Sequence, residues 1–569
     1  MSSLMILVLS IFAFLVAYVT YGSWLAKQWG VDPKEVTPAH TMEDGIDYVP
    51  AKAPILLGHH FASIAGAGPI TGPIQAAVFG WLPVLLWIVI GGIFFGGVQD
   101  FSSIVVSIKH GGKTLGEVIE EYIGHKCKIL FTTFAWLVIL LVIAAFADIV
   151  ASTFQGYTVA ADGTKTYIQA NGSVATASIL FIPLAVAFGF LVYRKNAPLV
   201  ISSIAGVALL VLCIYVGLKF PIYLSKNFWL GFVFVYIIVA SVTPVWILLQ
   251  PRDYLNSFLL YFMILAAFIG VVFTNPTINL PSFTGMKNSF NGQFVFPYLF
   301  ITVACGAISG FHSLIGSGTT SKQLDSAKDA KLIGYGSMLI ECVLAVIALI
   351  TVGVLFKDGK MPAGSPAVVF ATGVSGFFGA MGFSDIAVRT TFTVISLAFS
   401  AFALTSLDTA TRLGRFLFQE LFTSKNPEEN KGITKSFSNM YVATVITVAL
   451  GGILCLGGYK NIWPIFGACN QLVAVPCFLG VSVWLAKTGK NNKMLFIPMV
   501  FMICATMSSL LISFKTNVLL LVSGQGKLAV HGLQSVVIFF IFGLALMLVV
   551  EGTKVLMALK KKTPVATKA

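Results

Sequence analysis

Charge is what this chain has least of. Only 10% of its 569 residues are Asp, Glu, Lys or Arg, and 57% are hydrophobic, whereas an ordinary soluble domain is about 25% charged. That balance excludes a soluble globular protein and points to a polytopic helical membrane protein with no appended soluble domain. The Walker A pattern is missing, so ATP-driven transport by this chain alone is not expected. The eight cysteines (Cys127, Cys213, Cys305, Cys342, Cys455, Cys469, Cys477 and Cys504) are scattered and form no CxxC pair, which argues against a disulfide framework or a zinc site. CxxCH, HExxH and ferredoxin spacings are also missing, so we expect no metal site, no cofactor and no enzyme activity. No periodic arginine helix suggests a voltage sensor. The N-terminus lacks a basic segment and a small-x-small cleavage site, so its first apolar run reads as a retained span. A net charge of +14 could suggest nucleic acid. The basic residues lie in short segments between apolar runs, however, which is a signature of topology and not of a nucleic-acid face.

Long apolar runs are what the chain has in abundance. They lie at about 3–24, 55–75, 79–108, 129–153, 175–193, 197–218, 227–249, 254–273, 294–317, 333–356, 386–411, 437–457, 462–486, 494–514 and 533–557, each of spanning length. The expected fold is therefore all-α, with about 15 transmembrane helices. One further run, 366–383, is short and glycine-rich and reads as re-entrant or interfacial. If the C-terminus, with Lys560, Lys561 and Lys562, is placed in the cytoplasm, the alternating inside segments hold most of the 36 lysines and arginines. These segments are 25–53, 109–128, 194–196, 250–253, 318–332, 412–436 and 487–493. The bias exists only if 366–383 does not cross, and it puts the N-terminus outside.

A short pattern occurs twice. Ser63-Ile-Ala-Gly66-Ala-Gly68-Pro69 matches Ser313-Leu-Ile-Gly316-Ser-Gly318-Thr319, and His60 and His312 stand just upstream. Glycine pairs are poor material for an unbroken helix. Irregular backbone at membrane depth is tolerated only where it is buried in protein or lines a cavity. Paired broken helices in two halves of a membrane protein point to a transporter's binding site. By the span count the two copies run in opposite directions, as inverted repeats require. Half-helix N-termini there would attract a carboxylate, with Ser63, Thr71 and Gln75 at the first copy and Ser313, Ser317, Thr319 and Thr320 at the second. The bland alternative is a small-xxx-small packing face. The candidate binding residues are thus His60, Ser63, Gly66, Gly68, Thr71, Gln75, His312, Ser313, Gly316, Gly318 and Thr319.

Ionisable residues inside spans are costly and so functional candidates by default. These are Asp100, Asp148, Glu341 and Asp408, with Asp100 and Glu341 each in the span after a break. Asp100, Glu341 and Asp408 are the candidates for ion or proton coupling. Asp408 and Arg412 are four apart and could pair on one helix.

The stretch from Val49 to Ser103 contains GHHFASIAGAGPITGPIQAAVFGW and GGIFFGGVQDFSS. It closely resembles the carbon starvation protein A (CstA) family, as do ACGAISGFHSLIGSGTTSKQL and TSLDTATRLGR. The resemblance covers most of the chain. It implies a bacterial cytoplasmic-membrane carrier of the APC superfamily with a LeuT-like core. Its substrate would be pyruvate or short peptides, taken up during carbon starvation. The coupling ion would be H⁺, with Na⁺ as the alternative. Expected divisions are an extra N-terminal span at 1–30, a first repeat at 50–290 with inserted helices near 175–218, and a second repeat at 291–490. C-terminal spans and a basic cytoplasmic tail complete the chain at 491–569. The expected partners are a small-molecule substrate and the lipid bilayer. Short-peptide uptake and a passive channel are the competing functions; the oligomeric state is left open.

Overall fold

The computed structural model describes residues 2–160, 162–195, 197–423, 433–456 and 459–562. The end of the expected basic tail, 563–569, and residues 424–432 of one expected inside segment lie outside the described residues. Among the described residues, twelve helices are long and apolar enough to cross a membrane. Lys226–Val242 and Met440–Cys455 are shorter apolar helices, and the run over 55–75 is a helix in two pieces. Each of the fifteen apolar runs therefore carries a helix. The protein is a multi-pass α-helical membrane protein.

Among the described residues, two helices that pack against each other are unwound over several residues, and they set the architecture. The first comprises Ala53–Ile64 and Gly68–Ala76. The second comprises Val295–Val303, a tight turn at Ala304–Gly306, and Gly310–Gly318. The pairing between them runs in opposite directions. The Ala51 N–H donates to the Gln323 carbonyl at 3.0 Å, and His60 Nδ1 lies 2.7 Å from Thr320 Oγ1. Further along, Gly68 faces Cys305, and Gly72 faces Thr302 and Val303. As numbers rise on one helix they fall on the other. Each half-helix thus packs on the opposite half of its partner, the geometry of an inverted pair. Gly72 is the tightest crossing, because a Cβ there would overlap the Val303 carbonyl.

The second break is not where the glycine pair predicts it. Gly316 and Gly318 are helical, and the chain unwinds between Ala304 and Ser309, with Ala304 at φ 43°. The two glycines serve close packing, Gly316 against Ser103 and Gly318 against Leu413, the role expected of small residues between membrane helices. The two sequence copies therefore occupy different places within their repeats.

Pro366–Ala380 is a 15-residue helix capped by Ser365, about 22 Å long at 1.5 Å per residue, which is too short to cross a hydrocarbon core of about 30 Å. It packs on Gly270 and Thr351, near the ends of Leu249–Thr274 and Ser337–Leu355. Gln169–Gly189 and Leu199–Lys219 pack against each other as neighbours, the latter mostly exposed on the rim.

Candidate functional site

At the first break, Asp385–Phe422 supplies the partners that unwinding demands. Buried backbone polar groups must be satisfied. Ser406 Oγ donates to the Ser63 carbonyl at 2.9 Å, and Ser63 Oγ lies 3.1 Å from Thr409 Oγ1. Gly66 is required by proximity, since a Cβ would overlap Ser406 Oγ and press on Phe146. Thr71 is buried and its N–H closes the first turn on Ala67 at 2.9 Å. Gln75 is only half-buried, a turn further from the break. His60 is fully buried, with Nδ1 on Thr320 and Nε2 lacking a partner.

At the second break, Asn470 reads the unwound chain. Its Oδ1 accepts from the Phe311 N–H at 2.9 Å, and its Nδ2 donates to Ser309 Oγ at 3.0 Å. Gln99 donates to the Ser309 carbonyl at 2.5 Å. One turn on, His312 sits between two carboxylates. Its Nδ1 is 2.9 Å from Asp100 Oδ2 and its Nε2 is 3.5 Å from Glu341 Oε2. All three side chains are fully buried. Asp100 Oδ1 and both Glu341 oxygens lack a hydrogen-bond partner.

Asp100 and Glu341 are also positioned alike. Asp100 lies on Gly97–Ile108, just after a π-turn at Gly92–Gly96. Glu341 lies on Ser337–Leu355, just after a π-turn at Lys331–Gly336. Such bulges often mark functional positions, and here they re-aim the next turn of each helix toward the break. Ser313 bonds its own helix at Gly310. Thr319 Oγ1 is buried and unpartnered.

A second buried network surrounds Asp408. Arg252 Nη1 pairs with Asp408 Oδ2, and the Tyr236 hydroxyl donates to the same oxygen at 2.8 Å. Arg252 Nη2 pairs with Asp253 Oδ1 at 3.0 Å, and Asp253 Oδ2 holds His59 Nδ1 at 2.8 Å. Arg252 Nη2 also donates to Thr405 Oγ1 at 3.0 Å. The pairing expected between Asp408 and Arg412 does not occur. Arg412 turns to Asp47 at 2.9 Å and to the Ala240 and Thr243 carbonyls, because Arg252 fills the space at Asp408 from a neighbouring helix. Residues 250–253 are correspondingly not an inside segment but the buried first turn of Leu249–Thr274. Asp148 forms a 2.7 Å ion pair with Lys226. Arg252, Asp253, Asn470 and Gln99 escaped the sequence reading. The one available signal was an Arg-Asp pair at the head of an apolar run.

Two oppositely directed broken helices, with ionisable groups at the joints, define the class: a membrane transporter of the inverted-repeat type. A family model described as carbon starvation protein CstA matches residues 2–365 and 360–509, and the chain belongs to that family. It is 32% identical to the peptide transporter CstA of Campylobacter jejuni, over 89% of this chain and 79% of the relative. It is equally 32% identical to the pyruvate/proton symporter BtsT of Escherichia coli, over 91% and 82%. The peptide transporter CstA of Bacillus subtilis is 30% identical, over 88% and 89%. Among solved structures, a manganese transporter of Eremococcus coleocola aligns over 92% of this chain and 99% of its own, with TM-score 0.47 and 11% identity. MhsT in complex with L-phenylalanine aligns over 87% and 98%, with TM-score 0.47 and 12% identity.

Proposed function

We propose that this protein takes up a small carboxylate such as pyruvate together with a proton across the bacterial cytoplasmic membrane, N-terminus outside and C-terminus inside. The observation that carries this reading is His312 held between Asp100 and Glu341 beside the second break. An imidazolium with two ionised carboxylates leaves the cluster at net −1, a state that burial penalises. One more proton neutralises it. An arriving anion would raise the cost of that uncompensated charge further, so anion and proton favour each other's binding, which is the thermodynamic content of symport. The first break offers the anion a half-helix N-terminus at Gly68.

Short-peptide uptake is the second reading, favoured by the same unpaired carboxylate oxygens, which would accept a peptide ammonium group. Proteoliposomes separate the two. Labelled pyruvate should accumulate above equilibrium when the outside is acidified, in competition with other small carboxylates and not with di- or tripeptides. Peptide accumulation without pyruvate accumulation would reverse the substrate. Uptake that needs a sodium gradient and ignores a protonophore would remove the proton. Equilibration without accumulation would make the protein a channel.

A further inference from the structure

Buried cations gather around Asp47. Arg412 and Arg415 lie a turn apart on Asp385–Phe422, their side chains 1% and 2% exposed. Asp47, in the segment leading to the first broken helix, stands between them. Its Oδ1 is 2.9 Å from Arg412 Nη1 and its Oδ2 is 3.8 Å from Arg415 Nη2; the second distance is too long for a hydrogen bond. Arg412 Nε, Arg415 Nε and Arg415 Nη2 are buried and have no hydrogen-bond partner. Lys322, just past the second broken helix, lies 4.5 Å from the Phe416 ring centre and 5.2 Å from that of Tyr48. Arg415 lies 4.2 Å from the same Phe416 ring.

The carboxylates within electrostatic reach of Lys322 are Asp47, Glu117 and Glu420. Glu420 is engaged elsewhere, accepting from Thr114 at 2.8 Å and lying 3.9 Å from Lys128. Burial, with Glu117, Asp44 and Asp47 nearby, pushes the Tyr48 phenol up to about 12, so it adds no negative charge. Three cations thus meet Asp47, with Glu117 in electrostatic reach of Lys322, and guanidinium donors stay unmet; a buried donor without a partner costs free energy until an acceptor arrives. A planar carboxylate suits both the guanidinium forks and their aromatic floor. The cluster also continues from the first break: Lys322 is two residues past Thr320, the partner of His60.

We propose that Lys322, Arg412 and Arg415 form a small-carboxylate subsite, with Asp47 seated in it as an internal anion that substrate displaces. The proposal rests on the reading of the protein as a carboxylate carrier, and its test needs no transport. Acetate serves as the probe, titrated by calorimetry into the full-length protein in zwitterionic nanodiscs. Asp47→Asn removes the internal competitor and should bind acetate about tenfold more tightly than wild type, on the order of one charge-assisted hydrogen bond. Adding Arg415→Gln or Lys322→Met should reverse that gain. Unchanged affinity in Asp47→Asn overturns the subsite, and so does a gain that survives both second substitutions. Inorganic phosphate binding Asp47→Asn as well as acetate overturns the carboxylate assignment. If Asp47→Asn fails to fold, Lys322→Met alone decides: its acetate dissociation constant should rise about tenfold, and no change sinks the idea. A protein that passes these tests yet moves no carboxylate in proteoliposomes loses the transport reading alone. One that transports carboxylate with acetate binding unaltered loses the subsite alone.

Discussion

Replacing Arg252 by Gln tests whether the Asp408 network is held by charge balance. The Arg252 side chain is 2% exposed, and both its carboxylate partners are fully buried. Removing the guanidinium abandons two ion contacts and the hydrogen bonds to Tyr236 and Thr405. Asp253 keeps its contact with His59 Nδ1 at 2.8 Å. Asp408 keeps only the Tyr236 hydroxyl. One uncompensated buried carboxylate is the net result, and removing one partner of such a pair costs about 3–5 kcal/mol. The double variant Arg252→Met with Asp408→Leu removes both members of the Arg252–Asp408 pair together. Its remaining loss is the unmet hydroxyl of Tyr236, roughly 1–3 kcal/mol at most, because Thr405 Oγ1 still accepts from Asn256 Nδ2 at 3.3 Å. The assay is equilibrium unfolding of the detergent-purified protein, with the two variants measured beside wild type. The single substitution should be the more damaging. A loss under about 1 kcal/mol in Arg252→Gln, or a double variant no more stable than the single, would show that the network is not the buried charge balance drawn here.

Three further outcomes are expected. Glu341→Gln and Asp100→Asn should retain exchange of bound substrate while losing accumulation driven by a pH gradient; accumulation intact in both variants would return the pair to a structural role. Gly72→Ala should cripple the protein because its Cβ meets backbone of the opposing helix, whereas Gly318→Ala meets only the tip of Leu413 and should be tolerated; equal effects, read by uptake and by folded yield, would contradict the crossing described. Single cysteines introduced at Ser2 and at Lys562 in a cysteine-free background should react with impermeant maleimide from opposite faces of the membrane, and labelling from one face would refute the proposed topology.

The helices were legible because lipid demands long unbroken apolar runs, and each run appears in the fold. The first break was legible for a different reason, since Gly66 and Gly68 with Pro69 disfavour a helix by their own chemistry. The second break was not. Ala304 adopts a left-handed backbone with no residue type to announce it, while Gly316 and Gly318 offered a false signal that packing explains. Asp100, His312 and Glu341 could be picked out one by one through the cost of placing ionisable groups in a membrane. Their convergence depends on two π-turns, which leave no mark in composition. Arg252 misled in the opposite direction. Its charge read as a water-facing segment, because the carboxylate that admits it to the interior lies 156 positions away.

The crossing of the broken helices carries a mechanical consequence. Ala53–Ile64 is tied to the chain just beyond Gly310–Gly318 by Ala51 with Gln323 and by His60 with Thr320. Gly68–Ala76 is pressed onto Val295–Val303 at Gly72. The pair therefore forms two leaves, each made of one half of both broken helices. The joints at 65–67 and 304–309 are the only covalent crossings between the leaves within this pair. Those few backbone dihedrals are where the two leaves can tilt independently, like a double door on a common pin.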